Sequence, residues 1–179
     1  CIRDSTYSVD QNACSSPSSV IWHDEGGQWA EKEGVRKRWW AAVEQAAAAY
    51  QLTPSRAYRK FQALCEAALN DTSLCEAVRY GNRLWVVPVQ KTKELAKRKG
   101  SFGTFYEYGI KELEELIPAV NKKIQTMTCY GYDIQKLRRF VRDSRLRGID
   151  RIVPLGQAMT FEPTWDGMDL IERLSREIS

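Results

Sequence analysis

The chain has 179 residues, 43% of them hydrophobic and 28% charged, enough for a sizeable core and inconsistent with an intrinsically disordered polypeptide. Its formal net charge of +4, with acids and bases interleaved, argues against a dedicated nucleic-acid binder while leaving room for a phosphate-bearing small ligand. No apolar run approaches the roughly 20 residues that span a bilayer, and the start has neither a basic region nor a signal-like apolar stretch, so a cytoplasmic location is the expectation.

Five cysteines are an odd number in a chain too large to need disulfide staples, which fits a reducing compartment. No two have CxxC spacing and His23 is the only histidine, so no metal site is expected.

In chain order, Asp4 to Val9 reads as the tail of a helix, and Gln11-Asn12-Ala13-Cys14-Ser15-Ser16-Pro17 follows as a run of small polar residues around one cysteine. Small neighbours leave a sulfur approachable and expose backbone N–H groups able to hold an oxyanion, while Pro17 fixes the turn. A buried, inert cysteine is the competing reading of the heptad. Ser18 to Trp22 reads as a short buried strand and Asp24 to Gly27 as a turn. Trp29, Trp39, Trp40, Val43, Ala46, Ala47 and Tyr50 then recur at helical spacing as a core stripe. Thr53-Pro54 supplies an N-cap and a first-turn proline for a helix with Tyr58, Phe61, Cys65 and Ala68 on one face.

Thr72 to Arg79 reads as a further helical piece stopping at Gly81, and Arg83 to Val89 as a strand in which Pro88 marks an edge or an end. Gly100 to Gly103 forms a turn before Thr104 to Tyr108, and a helix is expected from Ile110 to Val120. A strand at Lys123 to Cys129, a helix from Asp133 to Arg147 closed by Gly148, a strand from Ile149 to Pro154 and an amphipathic helix from Trp165 to Ile178 complete the pattern. Strands alternating with helices predict an α/β layer fold, a sheet covered by helices.

Cys65 and Cys75 fall on predicted helices, where packing is the expected role, and Cys129 stands at a strand end with no candidate base nearby. His23 is the only partner for a Cys-His pair, but a strand separates it from Cys14. Six extended residues cover on the order of 20 Å, which disfavours a papain-like hydrolase. The basic clusters, Lys91, Lys93, Lys97, Arg98 and Lys99 in one and Arg138, Arg142 and Arg145 in the other, read as solvated faces, with phosphate binding as the functional alternative.

The heptad around Cys14 resembles the nucleophile segment of the bacterial acyl-CoA reductases, the family of the fatty acid reductase of bacterial bioluminescence, a branch of the aldehyde dehydrogenase superfamily. Gly148-Ile149-Asp150-Arg151-Ile152-Val153-Pro154-Leu155-Gly156-Gln157-Ala158 and Trp165-Asp166-Gly167-Met168-Asp169-Leu170-Ile171 are similar to the closing segment of the same family, with Ile124-Gln125-Thr126 between. The resemblance implies an aldehyde-dehydrogenase-like catalytic lobe over 1–179, with Cys14 as catalytic nucleophile and an acyl-CoA or other acyl thioester as substrate. It further implies NADPH as cofactor, bound mainly by a coenzyme domain upstream, so the chain is expected to be the C-terminal part of a longer enzyme. Cofactor-binding residues within the chain stay unassigned, because Gly100-Ser101-Phe102-Gly103 lacks the strand-to-helix context of a phosphate loop. The resemblance makes Trp165-Asp166-Gly167 a contact to the missing lobe. Self-assembly, an acyl-transferring partner protein and a role in luminescence stay open. An aldehyde dehydrogenase working in the oxidising direction, and a non-catalytic acyl-carrier or interaction lobe, are the alternative functions.

Overall fold

Two stretches of β-branched and aromatic residues, Leu84–Pro88 (β3) and Thr104–Ile110 (β4), form the centre of the sheet seen in a computed structural model of the protein. The structure describes residues 5–24, 29–90, 92–165 and 167–176 and divides the chain into two compact units, Ile2–Ala119 and Val120–Ser179. Residues of β3 and β4 are buried almost without interruption, the pattern of strands covered on both faces.

In the first unit the strand order is β1-β4-β3-β2, with β1 (Ser19–His23) and β3 parallel to β4, and β2 (Val78–Tyr80) antiparallel to β3. Helix α1 (Trp29–Ala47) presents Trp40, Val43 and Ala47 to Leu84, Val86 and Phe105 of the sheet, and Tyr7 and Tyr50 complete this cluster. The expected tryptophan-rich stripe is thus core, although the side chain of Trp29 and the turn at Glu25 to Gly27 lie outside the described residues. Helix α2 (Pro54–Asn70) starts as expected, with the Thr53 hydroxyl accepting the Arg56 N–H and Pro54 in the first turn.

The second unit is a βαβ unit with an appended hairpin. β5 (Thr126–Cys129) and β6 (Arg151–Pro154) are parallel, joined through α3 (Ile134–Asp143), and Leu137, Ile149, Ile152 and Val153 are its buried apolar residues. β7 (Thr164–Trp165) pairs antiparallel with β8 (Met168–Asp169) ahead of the short helix α4 (Leu170–Leu174). The α/β class expected from the alternating pattern holds.

Several local expectations do not hold, each for a local reason. Thr72 to Arg79 is not helical: the Asp71 carboxylate accepts both the backbone N–H and the hydroxyl of Ser73, at 3.0 and 2.6 Å, closing a turn. Leu74 then bridges to Val89 and Val78 to Tyr80 pair with β3, so Cys75 is exposed on extended backbone. Ile110 to Val120 keeps only one 3-10 turn, Leu113–Leu116, closed by a Glu112–Glu115 capping box. Ile110 is drawn into β4 opposite His23, and Pro118 cannot continue a helix. The Trp165 to Ile178 helix is replaced by the hairpin and α4, because Gly167 takes φ +74° and the N-cap is Asp169, which accepts from Ile171 and Glu172.

Helix α3 ends before Arg147. Arg145, at φ +50°, donates to the Arg142 carbonyl while Leu146 donates to that of Val141, so the left-handed closing residue is Arg145 rather than Gly148. Pro88 ends its strand but does not mark an edge, since β3 lies between β4 and β2. β1 is half-buried throughout, and Tyr58, Phe61, Cys65 and Ala68 face solvent, so Cys65 is not a packing residue.

Candidate active site

Cys14 lies in the turn that leads into β1 and is exposed. Its loop is held by a side chain three residues earlier. Gln11 is 1% exposed and adopts φ +61°, an uncommon conformation for a residue with a Cβ. Its amide nitrogen donates to the carbonyls of Pro17 (2.8 Å) and Thr104 (2.9 Å), and its amide oxygen accepts from the backbone N–H groups of Gly103 (2.9 Å) and Thr104 (3.2 Å). Both donors and both acceptor positions of the amide are therefore used. The loop that carries Cys14 is closed from Gln11 to Pro17 and sewn to the entry of β4.

The preceding turn is pinned as firmly. The Asp10 carboxylate takes the Tyr50 hydroxyl at 2.7 Å and Arg56 at 2.9 Å, while the Asp10 carbonyl accepts the Phe102 N–H at 3.3 Å. Ser16 donates its hydroxyl to the Ser5 carbonyl and its N–H to that of Ala13. Among the described residues, the backbone N–H groups of Cys14 and Ser15 make no turn hydrogen bond. The loop thus leaves Cys14 exposed beside backbone N–H groups that point to no turn partner among the described residues.

The glycine turn at 100–103 is occupied by this scaffold. A Cβ on Gly100 would come within 2.1 Å of the Thr104 carbonyl oxygen and 2.6 Å of Gln11 Nε2, and one on Gly103 within 2.0 Å of the Arg83 carbonyl oxygen. The glycines serve close backbone approach, and the turn leads into β4 rather than into a helix N-terminus, the setting of a phosphate loop.

His23 stands at the far end of β1, with Nε2 3.0 Å from the Lys111 carbonyl oxygen, so the structure does not pair it with Cys14. Cys129 is half-buried at the end of β5, and burial raises its thiol pKa, which makes it a poorer nucleophile at neutral pH. Among the described residues no group of three or more His, Cys, Asp or Glu side chains forms a metal-binding cluster.

Three buried ionisable groups escape a reading by residue type. Glu107 in β4 accepts the indole N–H groups of Trp22 (2.6 Å) and Trp40 (2.7 Å) and pairs with Arg36 (2.6 Å). Hydrogen bonding to this carboxylate raises the Arg36 pKa above its ordinary value. Lys60 donates to the carbonyls of Asn82 (3.0 Å) and Gly103 (3.3 Å) with its ammonium 4.6 Å from the Trp85 ring centre, and burial lowers its pKa to about 7. Arg98, expected on a solvated face, is buried. It pairs with Asp71 and donates to Ser73 Oγ and the Tyr108 hydroxyl, each at 2.8 Å. Lys97 and Lys99 are exposed, Lys91 lies outside the described residues, and so does the side chain of Lys93.

In the second unit Arg138 and Arg142 border a cavity of about 390 Å³ together with Arg151, Asp150 and Glu162, so its rim carries both signs of charge. Arg145, expected on the same helical face, lies beyond the end of α3. Arg151 is 6% exposed. It donates to the carbonyls of Ala158 (2.8 Å), Gln157 and Thr160, and its guanidinium carbon lies 4.5 Å from the Trp165 ring centre. This residue folds the segment between β6 and β7 around itself, joining the two closing stretches singled out in the sequence. Asp166 lies outside the described residues.

Compared with models of protein families, residues 3–177 match acyl-CoA reductase (LuxC). No curated protein matches the chain. With nearly its whole length matched, the chain belongs to the acyl-CoA reductase (LuxC) family, a family of acyl reductases.

Proposed function

We propose that this chain carries the nucleophile of an NADPH-dependent acyl-CoA reductase that converts a fatty acyl thioester to an aldehyde through a thioester on Cys14. The observation that carries this reading is the exposed Cys14 thiol on a loop closed at both ends by the buried Gln11 amide. The Cys14 thiolate attacks the thioester carbonyl carbon, and the new C–S bond forms as the carbonyl π pair moves to oxygen. The N–H groups of Cys14 and Ser15 are the donors closest in sequence to that oxyanion. Collapse of the tetrahedral intermediate breaks the bond to coenzyme A, which leaves as a thiolate and takes up a proton, and the acyl group remains on Cys14.

Bound NADPH would supply the hydride that reduces the Cys14 thioester, after which the C–S bond breaks, the aldehyde is released and Cys14 returns to its thiolate. The glycine turn at 100–103 leads into β4 and not into a helix, so in this reading a coenzyme-binding part of the enzyme outside this chain holds it. The catalytic lobe then spans 1–179. A role in light emission is one setting for such a reaction, and an acyl-transferring partner protein would supply the same thioester chemistry.

The test is mass spectrometry of the full-length enzyme after incubation with a fatty acyl-CoA and no NADPH. The acyl group is expected on the Cys14 peptide, released by hydroxylamine, and lost with formation of aldehyde once NADPH is added. Cys14→Ser is expected to fold and to lose turnover. Wild-type activity in that variant, or an acyl group mapped to Cys129, would overturn the assignment.

A further inference from the structure

Gln11 offers more than a fold contact. Its hydrogen bonds go to Pro17, where the loop meets β1, and to Gly103 and Thr104, where β4 begins. Residues 12–16 are thus an arch whose two feet are joined by one amide, with the exposed Cys14 midway along it in sequence. Its other ties are hydrogen bonds from Ser16 to the Ser5 and Ala13 carbonyls and from the Asn12 N–H to that of Val9, while Ala13, Ser15 and Ser16 are half-buried and Cys14 and Asn12 are exposed. In such a loop the direction of the Cys14 side chain and of the neighbouring N–H groups follows from where the feet stand. A methylene's displacement of one foot shifts the sulfur relative to an incoming carbonyl, and misplacement of about 1 Å can lower a rate about a hundredfold.

We propose that Gln11 is the positioning residue of the nucleophile: it holds the Cys14 arch, and with it the thiol and the oxyanion-binding N–H groups, in the geometry for attack on the acyl thioester. It touches neither substrate nor cofactor and acts only through the arch. The proposal rests on the reading of Cys14 as nucleophile. It goes beyond it by naming what sets the geometry of attack.

Three variants of the full-length enzyme separate this role from a purely structural one. Gln11→Met removes the polar tether at similar length, Gln11→Glu replaces the donating nitrogen with a carboxylate oxygen facing the Pro17 and Thr104 carbonyls, and Gln11→Asn keeps the amide but retracts it by one methylene. Gln11→Asn is the variant that keeps the fold if the other two do not. Each is compared with wild type for the single-turnover rate of Cys14 acylation by a fatty acyl-CoA without NADPH, per folded molecule, for KM, and for the rate of alkylation by iodoacetamide. The expected result is an acylation rate 10- to 100-fold lower, a KM within about threefold of wild type, and alkylation within about threefold, because a small electrophile needs no alignment. Wild-type acylation per folded molecule in any folded variant would overturn the proposal, as would parallel loss of acylation and alkylation, which reports a hidden thiol rather than a misaligned one. If Cys14→Ser keeps activity, the nucleophile assignment itself fails. If Cys14→Ser is inactive and the Gln11 variants acylate normally, only the positioning role falls.

Discussion

Trp40 of α1 donates its indole N–H to the buried carboxylate of Glu107 at 2.7 Å, and this one bond ties a helix to the centre of the sheet across 67 residues of chain. Trp22 and Arg36 converge on the same carboxylate, so its lone pairs and its charge are satisfied together. Replacing Glu107 with alanine would leave the buried Trp40 indole and the half-buried Trp22 indole without their acceptor, and Arg36 with Glu33 as its ion-pair partner. We expect a loss of about 1–3 kcal/mol, the cost of leaving a buried donor unsatisfied. Glu107→Gln keeps an acceptor for an indole but not the charge, and should lose less than the alanine variant. Urea unfolding midpoints read both, and an alanine variant as stable as wild type would contradict the role assigned to this cluster.

Lys60 imposes a pH dependence whose sign can be worked out. The unfolded chain holds the Lys60 proton up to the ordinary pKa of 10.5, whereas the folded chain releases it above about 7. Between those values the unfolded state binds more protons, so the folded state gains relative stability as pH rises, by roughly 1 kcal/mol per unit. Below about pH 7 both states are protonated and the dependence from this group vanishes. Unfolding midpoints of wild type and Lys60→Met at pH 7, 8 and 9 should therefore diverge, with wild type gaining on the variant as pH rises. Parallel curves would mean that the carbonyls of Asn82 and Gly103 and the face of Trp85 keep the ammonium charged within the fold.

Arg151 bears on local rather than global stability. An ammonium can neither span the carbonyls of Gln157, Ala158 and Thr160 nor stack on Trp165 as the guanidinium does. Arg151→Lys should leave β5 and β6 paired but loosen the segment between β6 and β7. Loss of about 1.4 kcal/mol in local opening corresponds to a tenfold change. Thermolysin cleavage around Met159 and Phe161 should accelerate by at least that factor in the variant. An unchanged cleavage rate would show that other contacts hold the segment.

What could be read from the sequence follows from the range of the interaction behind each element. β3 and β6 announce themselves through consecutive β-branched or aromatic residues, and α2 through Thr53-Pro54, because those signals lie within or beside the element. Thr72 to Arg79 misleads because the deciding contacts are the Asp71 side chain and the partner strand β3, neither visible in its own composition. Lys60 and Arg98 look like surface charges by type, and only the folded chain brings Trp85 and Asp71 to them. The candidate site divides the same way. Small residues around Cys14 mark an accessible thiol, whereas the use of Gln11 depends on Gly103 and Thr104, far away in sequence.

That separation has a bearing on synthesis. The amide of Gln11 meets its acceptor and donor groups 92 and 93 residues later, and β1 waits for β4 across a similar span. Chains emerge from the ribosome at about 5–20 residues per second, so for several seconds the nascent polypeptide carries Cys14 with no structured support. Cys14 is thus made before the residues that hold its loop, and the loop is organised only on completion of a non-local parallel pairing of the slow-forming kind.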